Sequence, residues 1–234
     1  MEKHPKVLVG CPTSDYHEYA LEQYVDSIKR LTYKNHDVLS VDNSKDNIYF
    51  EKIKSLGINV IKGPWFESAR ERIIASRNIL RQKVLDENYD YFLSLEQDVL
   101  PPENFIESLL KHNKEVITGV YFADNIIPGK PLPELIPLVY VLENPETLSM
   151  RPLNQNELWE SPGLMEVISA GLGCVLIHKN VLKDIKFRYD LNTFDDRWFF
   201  LDLYNKKIKV YADTSLKCRH LIHNRPYPWN KIQK

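Results

Sequence analysis

The apolar positions of this chain fall into short blocks that alternate, over the first half, with helical periods. Lys6 to Gly10 is a short apolar run closed by Cys11-Pro12-Thr13-Ser14, which predicts a buried strand ending in a turn. From Glu18 to Leu31, Leu21, Tyr24, Val25, Ile28 and Leu31 recur at helical spacing, and Asp37 to Val41 predicts a second strand that stops at Asp42-Asn43-Ser44. Ile58 to Ile61 fits a third strand, and Ser68 to Glu87 carries Ile73, Leu80 and Val84 on one face of a long helix. The strand Tyr91 to Leu95 runs into Glu96-Gln97-Asp98. Pro101-Pro102 halts it, Glu103 to Lys111 predicts a helix entered at a position that tolerates proline, and Val116 to Val120 returns to the sheet.

The second half differs. Pro128, Pro131, Pro133 and Pro137 crowd a loop, after which Leu138 to Leu142, Met165 to Ser169 and Cys174 to His178 read as extended segments. Asp195 to Lys206 predicts a short helix, Ile208 to Ala212 and Leu216 to Arg219 two strands, and the end from His223 a surface tail. The whole predicts an α/β fold in one domain, 1–234: a Rossmann-like, mostly parallel mixed sheet flanked by helices. Such sheets bind ligands beyond the carboxyl ends of their strands, where Pro12-Thr13, Asp42-Asn43 and Glu96-Gln97-Asp98 fall.

Composition narrows the function classes. With 43% hydrophobic residues, 234 positions fill one core. Thirty-one basic against 32 acidic side chains leave a net charge of -1, so no overall field draws the protein to nucleic acid or an anionic membrane. No apolar stretch approaches the ~18 residues of a membrane span, and the charged start leads straight into the first strand, so a cytoplasmic location is expected. The three cysteines, Cys11, Cys174 and Cys218, lack pairing or metal spacing and read as small buried residues, with a catalytic thiol at Cys11, at the end of the first strand, as the less favoured alternative.

Glu96 and Asp98, one residue apart after a buried strand, can converge on one hard cation. Acidic residues at strand ends also cap helices and start turns, and the pair alone does not separate these roles. The order Ala75-Ser76-Arg77-Asn78, helix, Tyr91 to Leu95, Glu96-Gln97-Asp98 resembles the family-2 glycosyltransferases, which have the GT-A fold. There an Ala-Arg-Asn-like helix precedes a strand ending in Asp-x-Asp. The matching positions are Arg77, Asn78, Glu96 and Asp98, with Glu96 replacing the first aspartate by a longer side chain.

The resemblance covers most of the chain and implies a metal-dependent, inverting sugar transfer from a nucleoside-diphosphate sugar to a hydroxyl of a glycan, lipid-linked or small-molecule acceptor. It implies a donor-binding half, 1–120, and an acceptor-binding and catalytic half, 121–234. Pro12, Thr13, Asp42 and Asn43 would meet the nucleotide, with Asp42 accepting from the base, and Glu96 and Gln97 would complete that wall. Arg77 would pair with the diphosphate, with Arg70 seven residues earlier as a second candidate, while Asp98, Glu96 and His220 would hold Mn2+ or Mg2+. Gly171-Leu172-Gly173 resembles the small-residue loop beneath the donor sugar, and Asp195-Asp196 the acidic pair that opens an acceptor-site helix, with Asp196 as catalytic base.

Each residue has a plainer role beside this one. Asp42-Asn43-Ser44 is also a turn sequence, Arg77 a helical surface arginine, and the glycines a turn before a strand. Thr193-x-x-Asp196 also fits a capping box, and His220, or His223 in its stead, a hydrogen-bonded surface residue. Trp65, Trp159, Trp198 and Tyr121 are candidate acceptor platforms, but large aromatics dominate burial and each fits the core first. Two other functions use the same fold: a sugar-nucleotide pyrophosphorylase, against which the first turn argues because it lacks a glycine-rich phosphate loop, and a catalytically silent nucleotide- or glycan-binding module.

Overall fold

A computed structural model describes residues 4–125, 133–190 and 193–225. The first half contains β1 (Val7–Thr13), a 3-10 turn over Asp15–Ala20, α1 (Leu21–Lys29), β2 (His36–Asp42), α2 (Ile48–Ser55) and β3 (Val60–Lys62). It continues with α3 (Ala69–Asp86), β4 (Tyr91–Leu95), the short β5 (Val99–Leu100), α4 (Phe105–Leu110) and β6 (Val116–Val120). Next come β7 (Phe122–Asn125), β8 (Glu134–Pro137), β9 (Val139–Asn144), β10 (Ser149–Pro152), a π-helical turn over Asn156–Glu160, β11 (Leu164–Val167), β12 (Ser169–Ala170) and β13 (Cys174–His178). The chain then forms α5 (Lys179–Asp184), α6 (Asp195–Asn205), β14 (Val210–Lys217), β15 (Arg219–His220) and a 3-10 turn over Ile222–Asn224.

Eight strands from both halves form one sheet in the order β11-β14-β6-β13-β4-β1-β2-β3. β3, β2, β1 and β4 run parallel, β13 runs against both its neighbours, β14 runs parallel to β6, and β11 closes the edge antiparallel. Helices cover both faces, which is why β1, β4 and β6 are buried at every position and read as continuous apolar runs. Alternate residues of β1 serve the two layers: Leu8 packs with Leu80 of α3 and Phe199 of α6, while Val7, Val9 and Cys11 pack with Tyr24 of α1 and Phe105 of α4. Gly10 permits the close approach of α3, since a Cβ there would lie 2.4 Å from Phe92 and 3.0 Å from Leu80.

α3 begins where predicted, with Ser68 as its N-cap accepting from the Glu71 amide at 3.4 Å. Other boundaries shift. The predicted helix from Glu18 starts as the 3-10 turn, and Met165 to Ser169 divides between β11 on the large sheet and β12, which pairs with β9. Ile208 to Ala212 and Leu216 to Arg219 do not divide as predicted: β14 runs through Val210–Lys217, and Arg219 opens β15, which pairs with β5. Asp213-Thr214-Ser215 looks like a break, but Asp213 Oδ1 accepts from the Ser215 amide and hydroxyl inside β14, so the register shifts and the strand continues. α2 escapes the hydrophobic pattern because only Tyr49 and Ile53 are buried in it.

Pro133 precedes β8 and Pro137 is its last residue, in a two-stranded ribbon where each strand is an edge and tolerates proline; Pro128 and Pro131 lie outside the described residues. All three cysteines are free and buried, as composition predicts. No helix among the described residues is long and apolar enough to cross a membrane.

Candidate functional site

The chain leaves β1 toward β2 on one side and lies against β4 on the other, and the crevice at this switch point opens into a cavity of about 500 Å³. Pro12 at the end of β1, Glu96, Gln97 and Asp98 after β4, Leu172 before β13, Asp195 and Asp196 at the start of α6, and His220 in β15 all line it. Arg77 reaches it from α3. Sequence reasoning therefore brings nine of its site residues to one place, with Tyr121, a candidate platform, beside them; it misses His17 and Arg225, which share the walls.

Arg77 organises the floor. Its Nη2 donates to Glu96 Oε1 at 2.6 Å, Nη1 donates to Ser94 Oγ at 2.6 Å and to the Leu172 carbonyl at 3.4 Å, and Nε forms an ion pair with Asp195 Oδ2 at 2.7 Å. That last contact lacks hydrogen-bond alignment. Burial opposes the charge, but the Asp195 and Glu96 carboxylates outweigh it and raise the Arg77 pKa. Within the protein, Arg77 thus bridges Glu96, Ser94 and Asp195, and it lines the cavity where the resemblance expects a diphosphate.

Beside the Arg77 pair stands Asp196. Burial, and then the neighbouring Asp195 charge, push its carboxyl up to about 6, although its Oδ1 accepts from the Arg197 amide at 2.7 Å. The predicted Thr193 capping box does not form: α6 has Phe194 as N-cap without a side-chain cap, and Thr193 bonds to Asp190.

Asp98 occupies the other wall, fully buried. Its Oδ2 accepts from Tyr19 OH at 2.7 Å and Arg225 Nη2 at 2.7 Å and lies 3.4 Å from His220 Nε2. Burial opposes ionisation, yet His220, His17 and Arg225 hold the carboxyl well below its usual range. His220 donates Nδ1–H to the Phe122 carbonyl at 2.7 Å, which turns Nε2 toward Asp98 Oδ2 and Arg225 Nη2. The end expected as a surface tail from His223 is exposed at His223 and Asn224, whereas the Arg225 side chain is only 12% exposed and folds back into the cavity; 226–234 lie outside the described residues. His17 lies near Asp98 with a buried Nδ1 that has no partner among the described residues, and burial lowers its pKa.

The remaining predicted residues support the walls. Thr13 Oγ1 donates to Gln97 Oε1 at 2.6 Å, and Gln97 Nε2 donates to the His17 carbonyl and to Tyr49 OH, so the Gln97 amide braces the loop at the cavity wall. Asp42 is fully enclosed, with Oδ2 paired to Lys62 at 2.7 Å and Oδ1 accepting from Ser44, and Asn43 donates to Ser76. Both carboxylate oxygens of Asp42 thus have partners within the protein. Asn78 clasps the Phe187 backbone through two hydrogen bonds, 2.9 and 3.2 Å, and Arg70 lies over the Phe194 ring at 4.6 Å.

Gly171 and Gly173 have a specific neighbour. A Cβ at either would come within 2.1 or 2.7 Å of Tyr121 OH, and that hydroxyl accepts from the Gly173 amide. The glycines make room for Tyr121, itself a cavity wall. Trp65, Trp159 and Trp198 are not among the cavity walls; Trp198 lies under Arg188, and Trp159 stacks on Phe122.

The donor set decides which metal role fits. Among the described residues no three His, Cys, Asp or Glu side chains converge on one point. Asp98 Oδ2 and His220 Nε2, 3.4 Å apart, form a two-donor pair of the kind a hard cation completes with phosphate oxygens and water. His220 has the carbonyl-anchored second nitrogen typical of a metal-binding histidine. Glu96 lines the same cavity with its Oε1 bound to Arg77.

No family profile matches the chain, and no curated protein matches it in sequence. Its fold is shared with solved structures. A197 from STIV aligns over 94% of this chain and 87% of its own, at 20% identity and a TM-score of 0.53. S. aureus TarS aligns over 92% of this chain at 13% identity and a TM-score of 0.58, and its 1–349 fragment in complex with UDP at 14% and 0.55. A further structure holds that fragment in complex with UDP-GlcNAc. The chain spans 36% of the longer TarS chain and 60% of the fragment bound to UDP. These likenesses establish the GT-A fold that the order of strands and motifs predicts.

Proposed function

We propose that this protein is a glycosyltransferase that moves a sugar from a nucleoside-diphosphate sugar to an acceptor hydroxyl, as the resemblance to family-2 enzymes implies. The observation that carries the reading is the arrangement of one cavity: Asp98 and His220 on one wall, and Asp196, with a carboxyl raised to about 6, on the other. Support also comes from S. aureus TarS, whose fold is shared and whose complexes contain UDP and UDP-GlcNAc.

Asp98 and His220 would hold a divalent cation, Mn2+ or Mg2+, whose charge offsets that of the departing diphosphate. Asp196 accepts the acceptor hydroxyl proton on Oδ2, since Oδ1 is held by the Arg197 amide. The acceptor oxygen attacks the anomeric carbon from the face opposite the leaving group, the bond from that carbon to the diphosphate oxygen breaks, and the nucleoside diphosphate leaves with the electron pair. One displacement inverts the anomeric centre. Arg77 acts by fixing Asp195, and through it the start of α6, at the distance from Glu96 that the cavity requires.

The donor-binding role of 1–120 and the acceptor-binding role of 121–234 are part of this proposal, as is the single domain. Its test is a screen of UDP, GDP and CDP sugars by thermal shift with Mn2+, followed by analysis of the product anomer. A shift with at least one donor and an inverted product support the reading; a retained anomer overturns the single displacement.

A further inference from the structure

Arg225 Nη2 lies 2.7 Å from Asp98 Oδ2 and 3.2 Å from His220 Nε2, against the same two acceptors that would hold a cation. The imidazole is oriented to receive it, because Nδ1–H is committed to the Phe122 carbonyl. Arg225 Nε donates to Tyr19 OH at 3.0 Å, and the Tyr19 hydroxyl donates to Asp98 Oδ2, closing a ring of contacts around one carboxylate. The arginine follows the 3-10 turn Ile222–Asn224, which starts two residues after His220.

A carboxylate as buried as Asp98 requires a countercharge. A divalent ion would take the same oxygen and nitrogen at roughly 2.0–2.2 Å. A guanidinium nitrogen and a metal ion cannot share those lone pairs at such distances, and their like charges repel.

We infer that Arg225 is a built-in counterion that competes with the divalent cation for Asp98 and His220, so that cation binding requires Arg225 to withdraw from the pair. The inference rests on the assignment of these two residues as the cation site. Its consequence is coupling. The cation alone binds against Arg225, whereas a nucleoside diphosphate offers the released guanidinium another anion, so cation and nucleotide each favour the other's binding.

The test uses Mn2+ alone, titrated into the full chain and followed by electron paramagnetic resonance. Arg225→Gln should bind Mn2+ at least about tenfold more tightly than the unaltered protein, and adding Asp98→Asn to it should abolish that binding. Loss of any nearby positive charge also favours a cation, so a second measurement reads displacement itself in the unaltered chain: the nitrogen-15 resonance of Arg225 Nε, assigned by its absence in Arg225→Gln. Saturating Mg2+ should shift that resonance and speed its proton exchange. Equal or weaker Mn2+ binding by Arg225→Gln, including none, overturns the inference, as does an Arg225 resonance that Mg2+ leaves unchanged. Titration of UDP without metal reads the nucleotide site separately, so failure of the counterion leaves that reading to its own result.

Discussion

Arg77 Nε stands 2.7 Å from Asp195 Oδ2 with both side chains at most 6% exposed, tying the middle of α3 to the first residue of α6. Removing one partner of such a pair leaves a buried charge uncompensated. Arg77→Ala should therefore cost about 3–5 kcal/mol in urea denaturation. Arg77→Lys keeps the charge but replaces a planar fork facing Glu96, Ser94 and Asp195 with one ammonium, and should lose roughly 1–3 kcal/mol. Stability of Arg77→Lys equal to that of the unaltered protein would show that the fork geometry does not matter.

Asp196 sets a pH dependence. Its carboxyl is raised to about 6, so the base is available only above that pH, and kcat/KM should fall about tenfold per unit below it. The stability effect has the opposite sense. Because folding raises this pKa, the ionised carboxylate destabilises the fold, a penalty absent below the ordinary carboxylate range and complete above pH 6. Asp196→Asn should abolish transfer, spare donor binding, and at neutral pH raise stability by roughly 1–3 kcal/mol. A pH–rate profile with no limb near 6 would remove Asp196 from the role of base.

Gly171 and Tyr121 form a steric pair. Gly171→Ala places a methyl group 2.1 Å from Tyr121 OH, an overlap that should cost about 1–3 kcal/mol. Tyr121→Phe removes that oxygen but leaves Cζ at 2.9 Å, so the double variant should recover part of the loss. Thermal melts of the four proteins give the coupling directly, and strictly additive effects would deny the contact.

Much of the fold was legible because the central strands are buried on both faces and the functional residues follow them. Glu96, Asp98 and Pro12 were found by that rule, and Asp195, Asp196 and His220 by their order along the chain. What each side chain faces was less legible. Nothing local indicates that Arg77 points to internal carboxylates, or that Gly171 and Gly173 accommodate a tyrosine some fifty residues earlier. Arg225 was hidden by its place in a Pro-, Tyr- and Trp-containing end; the available signal was a basic residue five positions after a candidate metal histidine.

Asp98 is proposed as a metal ligand, and Asn keeps its shape while losing the charge. Asp98→Asn should eliminate the Mn2+-dependent part of UDP binding in titration calorimetry, a change of at least about tenfold in affinity. Equal Mn2+ dependence in the variant would place the cation elsewhere.

The central claim is sugar transfer, and its most direct measurement is nucleoside-diphosphate release from nucleotide sugars with Mn2+ across a panel of hydroxyl acceptors, run with the unaltered protein and Asp196→Asn. The account predicts acceptor-dependent release by the former and its loss in the latter. Tight donor binding with neither transfer nor hydrolysis across the panel would contradict it and identify a binding module on the GT-A fold.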